Sequence, residues 1–317
     1  MPDDLDSLNE AAVRAVVAAS KICEAVRRDL VDSDRADKSD RSPVTVADFA
    51  SQAVVARLLK EWNLPLVAEE SAAEFQKADP SLREKVAAAM ESSVDEAEQL
   101  IGLGGGDAAG GRYWVLDPID GTKGFLRGGQ YAVALALVED GKVKFGVLGC
   151  PQWDAGRLFG SGSGVEGSTH PWTAPIEAPQ QRQPISVAGN RSPIKLVESV
   201  ESGHSDHDAS SVIAATMKAG EPLRMDSQAK YAAVASGAAD AYLRLPTRPG
   251  YEEKVWDHAA GLAVVLAAGG KVTDLDGKPL DFTRGRTLAD NRGVVATSGY
   301  GDLHDRLLAA AGEALGG

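Results

Sequence analysis

Asp117 and Asp120 stand three residues apart, where the apolar run Tyr113-Trp114-Val115-Leu116 meets Pro118 and Gly121. Carboxylates that close repel each other unless something positive sits between them. Hard divalent cations such as Mg²⁺ take oxygen ligands and commonly share them with substrate phosphate, so Asp117, Asp120 and the carbonyl of Ile119 form a half-shell for one. Gly121 and Thr122 follow, and a short helix starting there would turn its unpaired N–H groups toward an anion. The same residues also make ordinary turns, because Asp-Pro and Asp-Gly pairs suit a bend with no ligand at all.

Three stretches separate these readings. Asp117-Pro118-Ile119-Asp120-Gly121-Thr122, the upstream Val67-Ala68-Glu69-Glu70-Ser71 and the downstream Trp256-Asp257-His258-Ala259-Ala260-Gly261 together resemble the lithium-sensitive, magnesium-dependent phosphatase superfamily of inositol monophosphatase. The longer run from Asp117 to Arg127, followed by Tyr131-Ala132-Val133-Ala134-Leu135, is similar to the 3′(2′),5′-bisphosphate nucleotidase branch, especially its plant-type members. The three signatures lie far apart and in the family's order.

The resemblance implies roles that the residues alone leave open. Thr45 and Asp48 have capping-box spacing, which would make Asp48 a helix-start acceptor; the resemblance makes it the group that positions or deprotonates an attacking water, with Thr122. Glu69-Glu70 could be solvated surface, and Asp257 a plain N-cap; the resemblance makes Glu69, Asp117, Ile119, Asp120 and Asp257 the ligands of two or three Mg²⁺ ions. Gly121, Thr122, His204, Ser227, Lys230, Arg244 and Tyr251 would then hold a nucleotide carrying phosphate at both ends. Metals would serve the reacting phosphate and fixed positive donors the other. His204 and His207 also have a His-x-x-His spacing, but zinc needs three or four ligands and no cysteine or matching acid set accompanies them.

The implied reaction is Mg²⁺-assisted hydrolysis of 3′-phosphoadenosine 5′-phosphate, and of its phosphosulfate analogue, to AMP and phosphate, with lithium inhibition and a place in sulfur assimilation. A phosphatase for inositol 1,4-bisphosphate would keep the same metals. A catalytically silent nucleotide sensor would have no use for Asp48.

Composition is consistent with a small phosphorylated substrate. The chain has 317 residues, 44% hydrophobic and 25% charged, with a net charge of -13. Such an acidic balance argues against nucleic acid and anionic membranes as partners, whereas bound cations invert the local field and can draw in phosphate. Cys23 and Cys150 make no disulfide framework and suit buried positions in a reducing compartment. No stretch is long and apolar enough to cross a bilayer, and the start, Met1 to Asp6, lacks the layout of a signal or transit peptide. The expectation is a soluble monomer or weak homodimer, cytoplasmic or, after removal of a presequence, in an organelle stroma or matrix.

The elements that must position these residues follow from periodicity. Leu8, Ala12, Val16, Ala19, Cys23, Val26 and Leu30 mark one face of a helix from Ser7 to about Val31. A second helix is expected from about Asp48 through Trp62, a strand at Leu64–Ala68, and an acidic helix from about Pro80 to Leu100. The glycine-rich stretch Gly102–Gly111 reads as a mobile lid. Asp140-Gly141 between two apolar runs predicts a hairpin, and residues 161–184 read as loops with short strands. Ile185–Ala188 would open a second unit of alternating strand and helix, closing with a hairpin at Asp276-Gly277, a strand near Gly293–Thr297 and a helix from about Gly301. The expected fold is an α+β lobe with an antiparallel sheet, residues 1–184, packed on an α/β lobe, residues 185–317. The resemblance implies a layered α-β-α-β-α sandwich with the site between lobes.

Overall fold

The structure, a computed structural model, describes residues 4–32, 42–106, 108, 110–163, 170–200, 207–246, 248 and 250–316. A seven-stranded sheet runs in the order β1 (Leu66–Ala68), β2 (Arg112–Asp120), β3 (Ala132–Glu139), β4 (Lys142–Cys150), β5 (Arg157–Gly160), β6 (Trp172–Pro175) and β7 (Gln183–Pro184). Only its edge pair β1–β2 is parallel; every other pairing is antiparallel. The second sheet holds β8 (Leu196–Glu198), β9 (Leu223–Arg224), β10 (Ala241–Arg244), β11 (Lys271–Thr273) and β12 (Val294–Thr297), in the order β11-β12-β10-β8-β9. Ten α-helices are described: α1 (Leu5–Asp32), α2 (Ser42–Leu59), α3 (Ala72–Lys77), α4 (Pro80–Ala89), α5 (Val94–Gly102), α6 (Thr122–Leu126), α7 (His207–Thr216), α8 (Ala229–Ala235), α9 (Ala259–Ala267) and α10 (Leu303–Ala314).

Alternation along the strands builds the layers. Trp114 and Leu116 of β2 and Val133, Leu135 and Leu137 of β3 join the core under α1 and α2. Their neighbours Tyr113, Val115, Ala132, Ala134 and Ala136 face α8 and α9 instead. A strand covered on both sides reads as an unbroken apolar run. The α9 side of β3 is mostly alanine, and a side chain on Gly146 of β4 would come within 2.6 Å of the Ala260 carbonyl, so small residues let α9 lie close to the sheet. On the far side of the second sheet, α7 and α10 share a core with Leu196, Ala241 and Val295. The stack is therefore α1 and α2, first sheet, α8 and α9, second sheet, α7 and α10.

Asp140 and Gly141 both take positive φ, 50° and 73°, in the expected β3–β4 hairpin. Cys23 and Cys150 are free and buried, and no described helix is long and apolar enough to cross a membrane.

Several expectations give way. The acidic helix is three, α3 to α5, each started by its own side-chain cap: Ser71, Asp79 ahead of Pro80, and Ser93. Gly104 to Gly106 are not a free lid, because Ala68 N–H donates to Gly104 O at 2.9 Å and Gly106 N–H to Leu66 O at 2.8 Å, adding this stretch to the sheet edge. Trp62 ends a separate 3₁₀ turn after α2. Ile185–Ala188 is irregular, so the second sheet begins at Leu196, and Asp276-Gly277 closes a turn on β11 with no second strand behind it.

Candidate active site

β2 delivers the central acids. Its register pairs Asp117 with Ala134 but Asp120 with Ala132, so β2 spends three steps where β3 spends two. In a regular strand, residues three apart point to opposite faces; one extra residue restores them to the same face. Pro118, which has no N–H to give to the ladder, sits inside this bulge. Its carbonyl accepts Ser51 Oγ at 3.1 Å, tying the bulge to α2.

Asp48 lies within α2, one turn before Ser51, rather than at the helix start. A capping role is thereby ruled out, and Asp48 is a buried carboxyl 7% exposed. Glu69 leaves the end of β1, and Gln52 clips the next residue by both backbone groups: Gln52 Nε2 donates to Glu70 O at 2.7 Å and Glu70 N–H donates to Gln52 Oε1 at 3.0 Å. Asp257 ends a 3₁₀ turn, Val255–Asp257; the N-cap of α9 is His258, and no side chain caps that helix. The expected N-cap role of Asp257 is therefore absent.

These acids converge. Burial first, then the charges of Glu69, Asp120, Asp257 and Asp48, holds Asp117 well above the usual carboxylate range. Burial, then Glu70 and Asp120, pushes Glu69 up to about 7, while a hydrogen bond with Asp117 opposes the rise. Asp257 is likewise pushed up to about 7 by burial and Asp120, against His258 and Arg244. Burial, Glu70 and Glu69 raise Asp48. Asp117 Oδ1 is buried with no hydrogen-bond partner among the described residues. A buried acceptor without a donor, among acids that raise one another, is costly as it stands. The donors present are oxygens, which suits a hard cation such as Mg²⁺ and not a soft one.

Asp120 is held differently: its Oδ2 accepts the backbone N–H of Gln228 at 2.8 Å. Thr122 Oγ1 donates weakly to the Ile119 carbonyl at 3.4 Å. Gly121, φ 89°, precedes α6 as an N-cap with no side chain of its own, and a β-carbon there would meet Ser227 Cβ at 2.9 Å. Glycine is what allows this approach.

Cations line the neighbouring ground. Lys230 is 2% exposed; burial pushes it down to about 8 against the pull of Asp120, Asp226 and Asp257, and its ammonium lies 5.1 Å from the Tyr242 ring. Arg244 Nε is 3.2 Å from Glu253 and its Nη2 3.8 Å from Asp257. Tyr251 hydrogen-bonds Arg244, and the guanidinium of Arg248 lies 5.1 Å from its ring. Ser227 takes a positive φ of 67°, and its Oγ accepts Ala229 N–H at 3.2 Å. His204 lies outside the described residues, as does the His207 side chain, so the His-x-x-His spacing has no structural account.

Residues without an assigned role complete the arrangement. Gln228 Nε2 donates to Trp256 O at 2.8 Å and its Oε1 accepts Gly261 N–H at 2.9 Å, fixing both sides of Asp257. Glu253 joins Arg244 to His258 Nε2 at 3.3 Å, and His258 Nδ1 is 2.7 Å from the Tyr231 hydroxyl. Glu253, Asp257 and His258 lie close enough to bind a metal among themselves. Arg244 already engages Glu253, and both ring nitrogens of His258 are taken, so this trio is better explained as a brace for Arg244 and Asp257. His258 stands inside the Trp256–Gly261 signature and Glu253 four residues before Asp257, as a second acid near it; Gln228 and Tyr231 act through contacts that spacing does not reveal.

The chain matches the inositol monophosphatase family over residues 4–315. It is 42% identical to a 3′(2′),5′-bisphosphate nucleotidase of Oryza sativa, across 91% of this chain and 89% of that protein. It is 39% identical to 3′(2′),5′-bisphosphate nucleotidase 1 of Candida albicans, across 96% and 94%. Among solved structures, CysQ from Bacteroides thetaiotaomicron, a bacterial member of the inositol monophosphatase family, aligns with a TM-score of 0.65 at 23% identity, across 93% of this chain and 98% of that one. The inositol monophosphatase of Anabaena aligns at 0.64 and 21% identity, across 98% and 96%. Both structural likenesses bear on the fold, which is the layered sandwich that the sequence implied.

Proposed function

The chain belongs to the inositol monophosphatase family, and from that premise we propose that it is a 3′(2′),5′-bisphosphate nucleotidase that removes the 3′-phosphate of 3′-phosphoadenosine 5′-phosphate. Its 5′-phosphosulfate analogue is a second substrate, and lithium is an inhibitor. The observation that carries this reading beyond family likeness is a division of charge at one place. Glu69, Asp117, Asp120 and Asp257 form an acidic cluster, and buried Lys230 and half-buried Arg244 lie beside it. A substrate with phosphate at both ends matches that division.

In this reading residues 1–184 form the metal-binding lobe and residues 185–317 the nucleotide-binding lobe, in a monomer or weak homodimer. Glu69, Asp117, Asp120, the Ile119 carbonyl and Asp257 hold two or three Mg²⁺ ions. When bound, Mg²⁺ offsets phosphate charge and raises the acidity of water. Asp48, buried and with a raised proton affinity, takes the proton from the attacking water, and Thr122 orients it. The Gly121 and Thr122 backbone lies against the reacting phosphate. Lys230 and Arg244 fix the second phosphate, Ser227 and His204 contact the nucleoside, and Tyr251 lies against the base.

The test is phosphate release from 3′-phosphoadenosine 5′-phosphate, its sulfated analogue, inositol 1,4-bisphosphate, inositol 1-phosphate and AMP, each with and without Mg²⁺ and Li⁺. Fastest Mg²⁺-dependent, Li⁺-sensitive release from the first two is the expected result. Preference for inositol 1,4-bisphosphate, or no release from any, overturns it.

A further inference from the structure

The two segments that carry Glu69 and Asp257 come from opposite halves of the sequence, and one side chain spans them. Arg286 Nη2 donates to the carbonyl of Ala68, the residue before Glu69. Its Nη1 donates to Gly104 O at 3.4 Å, on the stretch that edges β1. The same guanidinium lies 4.6 Å from the ring of Trp256, the residue before Asp257.

The backbone of Arg286 is fixed to the second of those segments. Val255 N–H donates to Arg286 O at 3.2 Å, Leu288 N–H to Glu253 O at 2.8 Å, and Lys254 bridges Thr287. Arg286 is therefore rooted on the Asp257 side and reaches to the Glu69 side. Neither contact engages a carboxylate, so Arg286 itself takes no oxygen of Glu69 or Asp257. A planar guanidinium has donors in a fixed fork and an apolar face, so it can bind two carbonyls while lying on an indole. A lysine ammonium cannot do both.

Building on the reading above, we propose that Arg286 is a positioning residue, a strut that sets the spacing between Glu69 and Asp257 and so the affinity of the acidic cluster for Mg²⁺. Cations bound by ligands from separate segments depend on how those segments are held, and loss of such support costs about tenfold or more in metal affinity. Substrate contacts at Lys230 and Arg244 do not pass through Arg286.

The test measures Mg²⁺ binding to the full chain by titration calorimetry, and by the Mg²⁺-dependent rise in melting temperature, for the wild type, Arg286→Gln, Arg286→Lys and the exposed neighbour Arg284→Gln. Arg286→Gln is expected to weaken Mg²⁺ binding by about tenfold, Arg286→Lys to fail to restore it, and Arg284→Gln to match the wild type. At saturating Mg²⁺ the KM for 3′-phosphoadenosine 5′-phosphate stays near the wild-type value. Trp256→Leu keeps the arginine but removes the ring beneath it, and is expected to weaken Mg²⁺ binding by about threefold; it stands in should Arg286→Gln fail to fold. Unchanged Mg²⁺ affinity in the folded variants, or full rescue by lysine, overturns the strut. A wild type that binds Mg²⁺ but releases no phosphate overturns the proposed reaction and leaves the strut standing, whereas a wild type that binds no Mg²⁺ overturns both.

Discussion

Asp120 Oδ2 accepts the backbone N–H of Gln228 at 2.8 Å, so one oxygen of the last acid on β2 is committed to the start of α8, and the proposed site uses the other for a cation. A carboxylate used twice in this way links the geometry of the two sheets to the charge of the site. Asp120→Asn keeps an oxygen that can accept the same N–H but removes the charge. We expect near-native melting in the absence of Mg²⁺ and a loss of Mg²⁺-dependent phosphate release of roughly a hundredfold or more, since metal-borne charge stabilisation amounts to several kcal/mol. Circular dichroism and a phosphate assay check the two halves.

Asp48 sits in α2, with Glu69 and Glu70, which follow β1, and Asp117 of β2 as its electrostatic neighbours. Asp48→Asn preserves shape and burial and removes the proposed proton acceptor. Its expected signature is a fall in kcat of about 10² to 10⁴, with Mg²⁺ affinity retained, read by calorimetry beside steady-state kinetics. Equal loss of Mg²⁺ binding would instead make Asp48 a ligand.

Arg244 has two carboxylate neighbours, Glu253 and Asp257. Arg244→Ala should lower kcat/KM for the nucleotide by roughly 10- to 100-fold, as expected for a lost charge-assisted contact of about 1.5–3 kcal/mol. Turnover of inositol 1-phosphate should change far less. The variant should also melt lower, because it takes the guanidinium from the buried Glu253 carboxylate, and breaking such a pair costs up to about 3 kcal/mol. Lys230→Ala should share the kinetic effect.

Without metal, Glu69 and Asp257 hold their protons to about pH 7. Their ordinary values, 4.5 and 3.8, lie lower, so the folded chain binds more protons than the unfolded one between those values and about 7. Stability from this source is present below the unfolded values and is lost as pH rises through about 7. In EDTA the melting temperature should therefore fall between pH 5 and pH 8 (roughly that window), and Mg²⁺ should raise it more at the upper end. Melts across that series decide the matter; a Mg²⁺ increment independent of pH would contradict it.

His304 has the opposite sign. It lies between Thr273 Oγ1 at 2.9 Å and Thr297 Oγ1 at 3.0 Å, and burial pushes it from 6.5 down to about 4. Here the unfolded chain binds the extra proton, so stability is present above 6.5 and is lost as pH falls toward 4. Substituting glutamine should flatten this acid-side loss relative to the wild type in paired melts, while costing some stability at neutral pH.

The acids were legible because their types and order do not depend on the fold. Asp117, Asp120, Glu69 and Asp257 stand in short stretches whose punctuation by proline, glycine and apolar runs also announced the strands and turns around them. The apolar periodicity of Leu8 to Cys23 likewise foretold α1, and Asp140-Gly141 the hairpin. Asp48 was legible as a residue but not as a location: spacing from Thr45 suggested a cap, whereas the helix begins earlier, at Ser42. The three helices between Ala72 and Gly102 merged into one in the sequence because their caps, Ser71, Asp79 and Ser93, are polar residues within a polar stretch.

By itself, then, the sequence determined the strands, turns and acids and, through its family resemblance, the groups proposed for the chemistry. Tertiary structure alone decided that they meet. The bulge at Pro118 is a matter of pairing with β3, and only that register turns Asp117 and Asp120 to one side. The supports, Gln228 behind Asp120 and Arg286 between Ala68 and Trp256, come from residues more than a hundred positions away from one of their partners. Local propensity reads a few residues at a time, while register and cross-chain contacts are fixed by burial of the whole layered core, so no window of sequence contains them.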